Sequence, residues 1–246
     1  MTDIRDDLET SRSLHFAALA VAMAFPTIST WVYFLAISDA ALVQPIYAAS
    51  KVVQFAFPVF WVWRVQKRAI AWRKPNLGEL SAGIAVGALM VAAGLGAYFG
   101  YFRDSDWLRF APAMIGEKLT HLGIAAPGKY WAFAAFVSVP HAALEEYYWR
   151  WFCFGQLRRV WPTGLAVVVS AFAFMSHHVL VLNRFLQAGW APTALFSLCV
   201  ALGGAVWAVL YARRGSIYGP WVSHLMVDAG IMAIGADLVW GLLATQ

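Results

Sequence analysis

Apolar residues run along this chain in seven long stretches separated by polar breaks: 14–37, 41–63, 80–101, 130–154, 164–182, 193–211 and 217–243. Each is close to the roughly 20 residues that a helix rising 1.5 Å per residue needs to cross about 30 Å of hydrocarbon. The pattern predicts an all-α, polytopic membrane protein of about seven transmembrane helices, or eight if the last stretch breaks near Gly230 or Gly235. Pro26 is the expected kink in the first stretch. The third is rich in Gly and Ala, as helix-packing surfaces in lipid often are. Residues 102–129 form the one long connection. There Trp107, Leu108, Phe110, Met114, Ile115 and Leu119 recur at roughly helical spacing and predict an amphipathic segment lying on the membrane interface. We therefore divide the chain into 1–128, the first transmembrane helices with this connection, and 129–246, a second helical part.

Composition supports the membrane reading. The chain is 61% hydrophobic and 13% charged, against about 45–50% and about 25% for a soluble domain. Thirteen Trp and nine Tyr suit helix ends that sit among lipid headgroups. The net charge of +5 does not point to nucleic acid, because the basic residues cluster in loops between apolar runs and serve anchoring and orientation. With the N-terminus in the cytoplasm, 11 Lys/Arg fall inside and 5 outside. The opposite orientation reverses that bias, so a cytoplasmic N-terminus is expected. Lys51 and Arg150 lie within apolar runs, and Lys51 is expected either to snorkel or to face another helix. Cys153 and Cys199 make no disulfide framework and no zinc-ligand spacing. Asp3, Asp6, Asp7 and Glu9 outweigh Arg5 and Arg12, unlike the basic start of a secretory signal, so the first run reads as an uncleaved span.

Candidate chemistry comes from ionisable residues placed where a bilayer disfavours them. Glu145, Glu146 and Arg150 lie in the fourth run, His177 and His178 in the fifth, and His224 and Asp228 in the last. Each such group costs roughly 2.5–3.5 kcal/mol at membrane depth on insertion scales, which suggests one shared polar site. Glu145 and Glu146 point about 100° apart around a helix, so they are not expected to aim at one spot. Arg150, four residues after Glu146, gives it a same-face partner. Glu145 lacks an equivalent cation, although His141, just after Pro140, shares its face. His177 and His178 also diverge, which assigns one of them to the site. His224 and Asp228 stack one turn apart, as suits an Asp orienting an imidazole or two groups gripping a metal ion or a substrate. The bland alternative is helix-packing glue. Ser170, Ser176 and Ser223 lack a nucleophile-elbow setting, and no HExxH occurs. An acidic base, imidazoles and a further carboxylate fit hydrolysis of a peptide bond by an activated water. A proton-coupled transporter uses similar groups.

In order, Glu145-Glu146-x-x-x-Arg150, Phe174-x-x-x-His178 and His224-x-x-x-Asp228 resemble the EExxxR, FxxxH and HxxxN/D motifs of the CPBP family of intramembrane proteases. That family includes the type II CAAX prenyl endopeptidases (Rce1) and bacterial Abi proteins. The resemblance covers roughly residues 131–237 and makes 129–246 the catalytic helical core. It implies Glu145 as the base that activates water, with His178 assisting and with Glu146 and Arg150 holding the site together. It places His224 and Asp228 at the oxyanion or, in a metalloprotease scheme, beside Glu145 and His178 as metal ligands. It gives no role to His141 or His177. The family often carries Asn where this chain has Asp228, and an ionised Asp cannot donate to an oxyanion. Asp228 is therefore expected to orient His224. The resulting expectation is a glutamic-type intramembrane endopeptidase acting in the maturation of a protein or peptide substrate. It would sit in a bacterial inner (plasma) membrane, with the lipid bilayer but no nucleic acid as a partner. No cofactor is required in this reading; a divalent metal, zinc, is the alternative. The competing functions are a proton-coupled membrane transporter and a non-catalytic bacteriocin-immunity or assembly protein.

Overall fold

The computed structural model describes residues 2–37, 40–70 and 73–241, apart from the side chains of 2–12, 40 and 241. Eight helices and no strand occur among the described residues. They are α1 (Thr2–Trp31), α2 (Ala40–Phe60), α3 (Leu77–Ala97), α4 (Ala111–His121), α5 (Pro127–Leu157), α6 (Thr163–Leu186), α7 (Trp190–Arg214) and α8 (Tyr218–Ala236). Wider π turns extend α1 to Ala36, α2 to Val65, α3 to Phe102 and α8 to Gly241, and two more interrupt α5 at Val137–His141 and Tyr147–Phe154.

Six helices, α1, α2, α3, α6, α7 and α8, are long and apolar enough to cross a membrane. The protein is an all-α integral membrane protein. The remaining predicted span, 130–154, is helical throughout as α5, but His141, Glu145, Glu146 and Arg150 lower its hydropathy. Such a helix is tolerable because Glu145, Glu146, Arg150 and its second half are buried in protein, while Trp131, Phe136 and Val139 of its first half face outward. Its buried Tyr148, Trp149, Phe152 and Cys153 pack with Ala22 of α1, Trp61 and Val62 at the end of α2, Phe174 of α6 and Trp207 of α7. Large apolar side chains such as Val52, Leu77, Leu89 and Trp190 instead face outward, as lipid contact demands.

α1 stays helical through Pro26. α8 runs unbroken past Gly230 and Gly235, so the last stretch is one span over the described residues; its final positions, 242–243, lie outside them. By contrast Pro140 does sit in a π turn, where proline's missing N–H and its ring disfavour a regular α-helical turn. The amphipathic connection is real as α4, but its buried face rests on protein. Ala111 packs with Tyr98, Leu186 and Leu238, and Leu119 with Tyr130 and Ala134.

In hydrocarbon the polar tips of buried aromatics need protein partners. Around α5, Tyr148 donates to the Ala22 carbonyl at 2.6 Å, Tyr147 to that of Phe55 at 3.0 Å and Tyr130 to that of Met232 at 2.6 Å. Trp221 of α8 donates to the Val139 carbonyl at 2.9 Å, inside the first π turn. At one end of the bundle Gln66 and Gln156 join α2 to α5 through paired amides at 2.9 and 3.1 Å. At the same end Asn76 caps α3 by accepting from the Glu79 N–H at 2.9 Å. Arg73 there bridges Glu79 at 2.8 Å and the Arg214 carbonyl at 2.7 Å. The loops that the charge count assigns to the cytoplasm thus share one end. At the other end Asp237 accepts from Arg103 at 2.8 Å and from Tyr98 at 2.7 Å, which ties α3 to the end of α8.

The α3–α8 contact positions the helix that carries His224 and Asp228. Gly83 lies so close to Gly219 that a Cβ would collide with its carbonyl oxygen, and a Cβ on Gly87 would come 2.8 Å from the Met226 sulfur. Gly94, in the same helix, faces open space. Gly83→Leu is accordingly expected to destabilise the fold by about 1–3 kcal/mol through overpacking. Gly94→Leu should be near neutral, and thermal unfolding of the two detergent-solubilised variants checks the contrast.

Candidate active site

α5, α6 and α8 bring the ionisable residues into one cluster. Glu146 is wholly buried and Arg150 2% exposed. Their side chains pair at 3.2 Å between Arg150 Nε and Glu146 Oε2, one turn apart as the spacing predicted. The guanidinium lies over the rings of Phe174 (4.6 Å) and Trp207 (5.0 Å) and reaches the Gly204 carbonyl at 3.4 Å. Gly204 permits that approach, since a Cβ there would come 3.1 Å from the Phe174 ring and 3.5 Å from the guanidinium.

The other Glu146 oxygen accepts from His224 Nδ1 at 2.8 Å. That bond, together with Trp207 stacked on the imidazole at 3.9 Å between centroids and 19° between planes, orients His224. The predicted partner, Asp228, is close but does not hold the ring: its Oδ1 lies 3.5 Å from Nε2, with no hydrogen bond between them. The two carboxylates address different nitrogens, Glu146 at Nδ1 and Asp228 at Nε2, and the hydrogen bond is the one to Glu146.

Glu145 faces the same ring from its other side. Its Oε2 is 3.7 Å from His224 Nε2, and its Oε1 is 3.7 Å from His177 Nε2 and 4.0 Å from His141 Nε2. The two neighbouring glutamates therefore do converge, contrary to the 100° argument. They grip opposite nitrogens of one imidazole, and two long side chains can close on a ring that lies between their directions. The pairing of His141 with Glu145 follows the i, i+4 expectation.

The two histidines of α6 are both present at the site. Their ring centroids are 4.0 Å apart. His178 donates from Nδ1 to the Phe174 carbonyl at 3.0 Å, one turn back, which leaves its Nε2 free. His177, to which the motif gives no role, is stacked against Trp149 at 5.9 Å and 2° and is the nearer partner of Glu145. The motif favours His178, and the approach of His177 to Glu145 was not legible because Trp149, which stacks on it, lies on another helix. Phe174 is the least informative letter of its motif. In the structure it is buried among Trp149, Arg150, His177, His178, Trp207 and His224.

Donor atoms of Glu145, His177 and His178 lie within 4.8 Å of one another, a set that could close on one divalent cation. This differs from the expected ligand set: His177 enters, while His224 and Asp228 do not. A carboxylate and two imidazoles are chemically suited to zinc, with a fourth position open. A surface groove between α6 and α7, lined by Met175, Val179, Thr193, Ser197 and Leu198, contains none of these groups.

Removing one partner of a buried ion pair leaves the other charge uncompensated. Arg150→Met should therefore cost about 3–5 kcal/mol of stability, and Glu146→Gln added to it should recover part of the loss. Unfolding of the single and double variants in detergent measures both; equal stability of Arg150→Met and the parent chain would remove Arg150 from the framework.

Residues 127–230 match the family model described as Rce1-like, type II CAAX prenyl endopeptidase. The matched segment contains all of the residues above and excludes α1 to α4. No curated protein and no solved structure gives a significant match to the chain.

Proposed function

Since residues 127–230 match the Rce1-like family model of type II CAAX prenyl endopeptidases, set here in a polytopic helical bundle, we propose a glutamate-activated intramembrane endopeptidase. The observation that carries the reading is the Glu145 carboxylate with imidazole nitrogens of three histidines at 3.7–4.0 Å. Those separations are too long for direct hydrogen bonds, yet a single water can bond to the carboxylate and a ring nitrogen at once. Glu145 takes a proton from that water, and the oxygen attacks the peptide carbonyl to form a tetrahedral oxyanion. The carboxylic acid so formed then returns the proton to the leaving amine as the C–N bond breaks. His177 holds the water from α6, with His178 beside it.

His224 approaches the same point. With Nδ1 bonded to Glu146, it presents Nε2 towards the reacting carbonyl, and Nε2–H donates to the oxyanion when the ring carries both protons. Asp228, with Oδ1 3.5 Å from that nitrogen, bounds the site. The family match implies a protein or peptide substrate and a bilayer around the enzyme. We take the role to be maturation of such a substrate in a bacterial inner membrane.

A divalent ion, if used, would be held by Glu145, His177 and His178. It would supply an acidified water and polarise the carbonyl. Metal analysis of the purified protein beside cleavage with and without chelator distinguishes the schemes. The glutamate scheme expects activity to survive chelation. Loss that zinc restores would favour the metal scheme.

Loss of a general base typically costs 10²–10⁴-fold in rate. Glu145→Gln should therefore reduce cleavage of membrane-embedded peptide substrates by about that factor, with unfolding temperature little changed. A Glu145→Gln variant that cleaves normally would end this assignment. His177→Ala should cost more activity than His178→Ala, measured on the same substrates.

A further inference from the structure

Lys51 is the lone charged residue in the apolar run 41–63. It lies near the middle of a span that runs from Ala41 to Val65. A snorkelling lysine sends its amine outward to the headgroups. This one does not: Nζ donates at 3.1 Å to Oε1 of Gln54, a residue 2% exposed and further along the helix. The ammonium otherwise lies over the rings of Tyr47 and Phe55, at 5.6 and 5.8 Å. Among the described residues it enters no ion pair.

Its level in the bundle can be read from two hydrogen-bonded positions. Phe55 of α2 meets Tyr147 of α5, 92 residues later, and Gln66 meets Gln156, 90 residues later. The two helices therefore run parallel, with a register that shifts by two residues over that length. Counting back four residues from Phe55 and from Tyr147 sets Lys51 level with Ala143, between His141 and Glu145. Phe55, one turn along from Lys51 and under its ammonium, packs edge-to-face on Tyr148 of α5 at 6.2 Å, so this face of α2 is turned towards α5. Tyr47, one turn before Lys51, meets Tyr33 edge-to-face at 5.1 Å. An ammonium has three donors, and here one is used. A cation without a carboxylate partner inside a span is costly and marks a ligand or pathway.

We propose that Lys51 is the anion-binding residue of this site, holding a carboxylate of the bound peptide across from Glu145. The carboxylate is either the C-terminus of the peptide or an acidic side chain near the cleaved bond. The inference rests on reading the site as one that takes a peptide. It makes α2, outside the family-matched segment, the specificity wall of the site.

The test is binding to the full chain in nanodiscs, with empty nanodiscs as background. The probes are a fluorescent N-dodecanoyl tripeptide with a free C-terminus, its C-terminal amide, and the amide carrying Asp at the last position. At least one acidic form should bind about tenfold more tightly than the neutral amide, as a charge-assisted hydrogen bond allows. Lys51→Met and Lys51→Gln should abolish the preference, and Lys51→Arg should keep it. Preference for the free C-terminus alone assigns the main-chain carboxylate; preference for the Asp form alone assigns the side chain. Equal affinity of all three probes for the parent chain overturns the proposal, as does a preference that survives in Lys51→Met. Binding needs no cleavage, so a selective but inactive chain would refute the protease reading and leave Lys51 as an anion site.

Discussion

The buried pair of Glu146 and Arg150 is the interaction on which the site depends. Two opposite charges out of water are tolerable only with close geometry and further hydrogen bonds. Groups from other helices help to meet them: the Gly204 carbonyl of α7, the ring faces of Phe174 and Trp207, and the His224 imidazole of α8. Each partner that lowers the cost of the pair is fixed in place by doing so. The pair therefore gathers α5, α6, α7 and α8 around one point, and its spare carboxylate oxygen turns His224 so that Nε2 faces Glu145.

This arrangement divides the labour between adjacent glutamates. Glu146 is held through one oxygen by the Arg150 ion pair and through the other by the His224 hydrogen bond. Glu145 has imidazoles at distances that leave room for a reacting oxygen. The same division explains why α5 falls outside the six apolar spans while standing at the centre. The groups that make it a poor membrane helix are the groups that its neighbours enclose. Two π turns flank Ala142–Glu146, and such turns often occur where a helix must aim side chains away from the regular spacing.

Much of this was legible from residues alone. The Glu146–Arg150 pairing follows from helical spacing, and so does the proximity of His141 to Glu145 and of Asp228 to His224. Where the reading went astray, the missing term was another helix. Spacing assigns Asp228 to orient His224, but the ring's hydrogen bond runs from its other nitrogen to a glutamate of α5. Glu145 and Glu146 were expected to diverge, but a ring inserted from α8 meets both. His177 had no motif to support it, and its place beside Glu145 depends on Trp149, which stacks against it.

The chain's pattern by itself determined the class of the protein, its long helices and the set of polar residues that lipid would not tolerate unpartnered. Those are consequences of local periodicity and of the cost of charge in hydrocarbon, and both act on short segments. The tertiary structure decided which nitrogen faces which oxygen, which of two adjacent histidines approaches the base, and that Lys51 stands level with Glu145. These depend on register and rotation between helices far apart in sequence. That register is set by glycines at close crossings and by side chains that find their partners across the bundle.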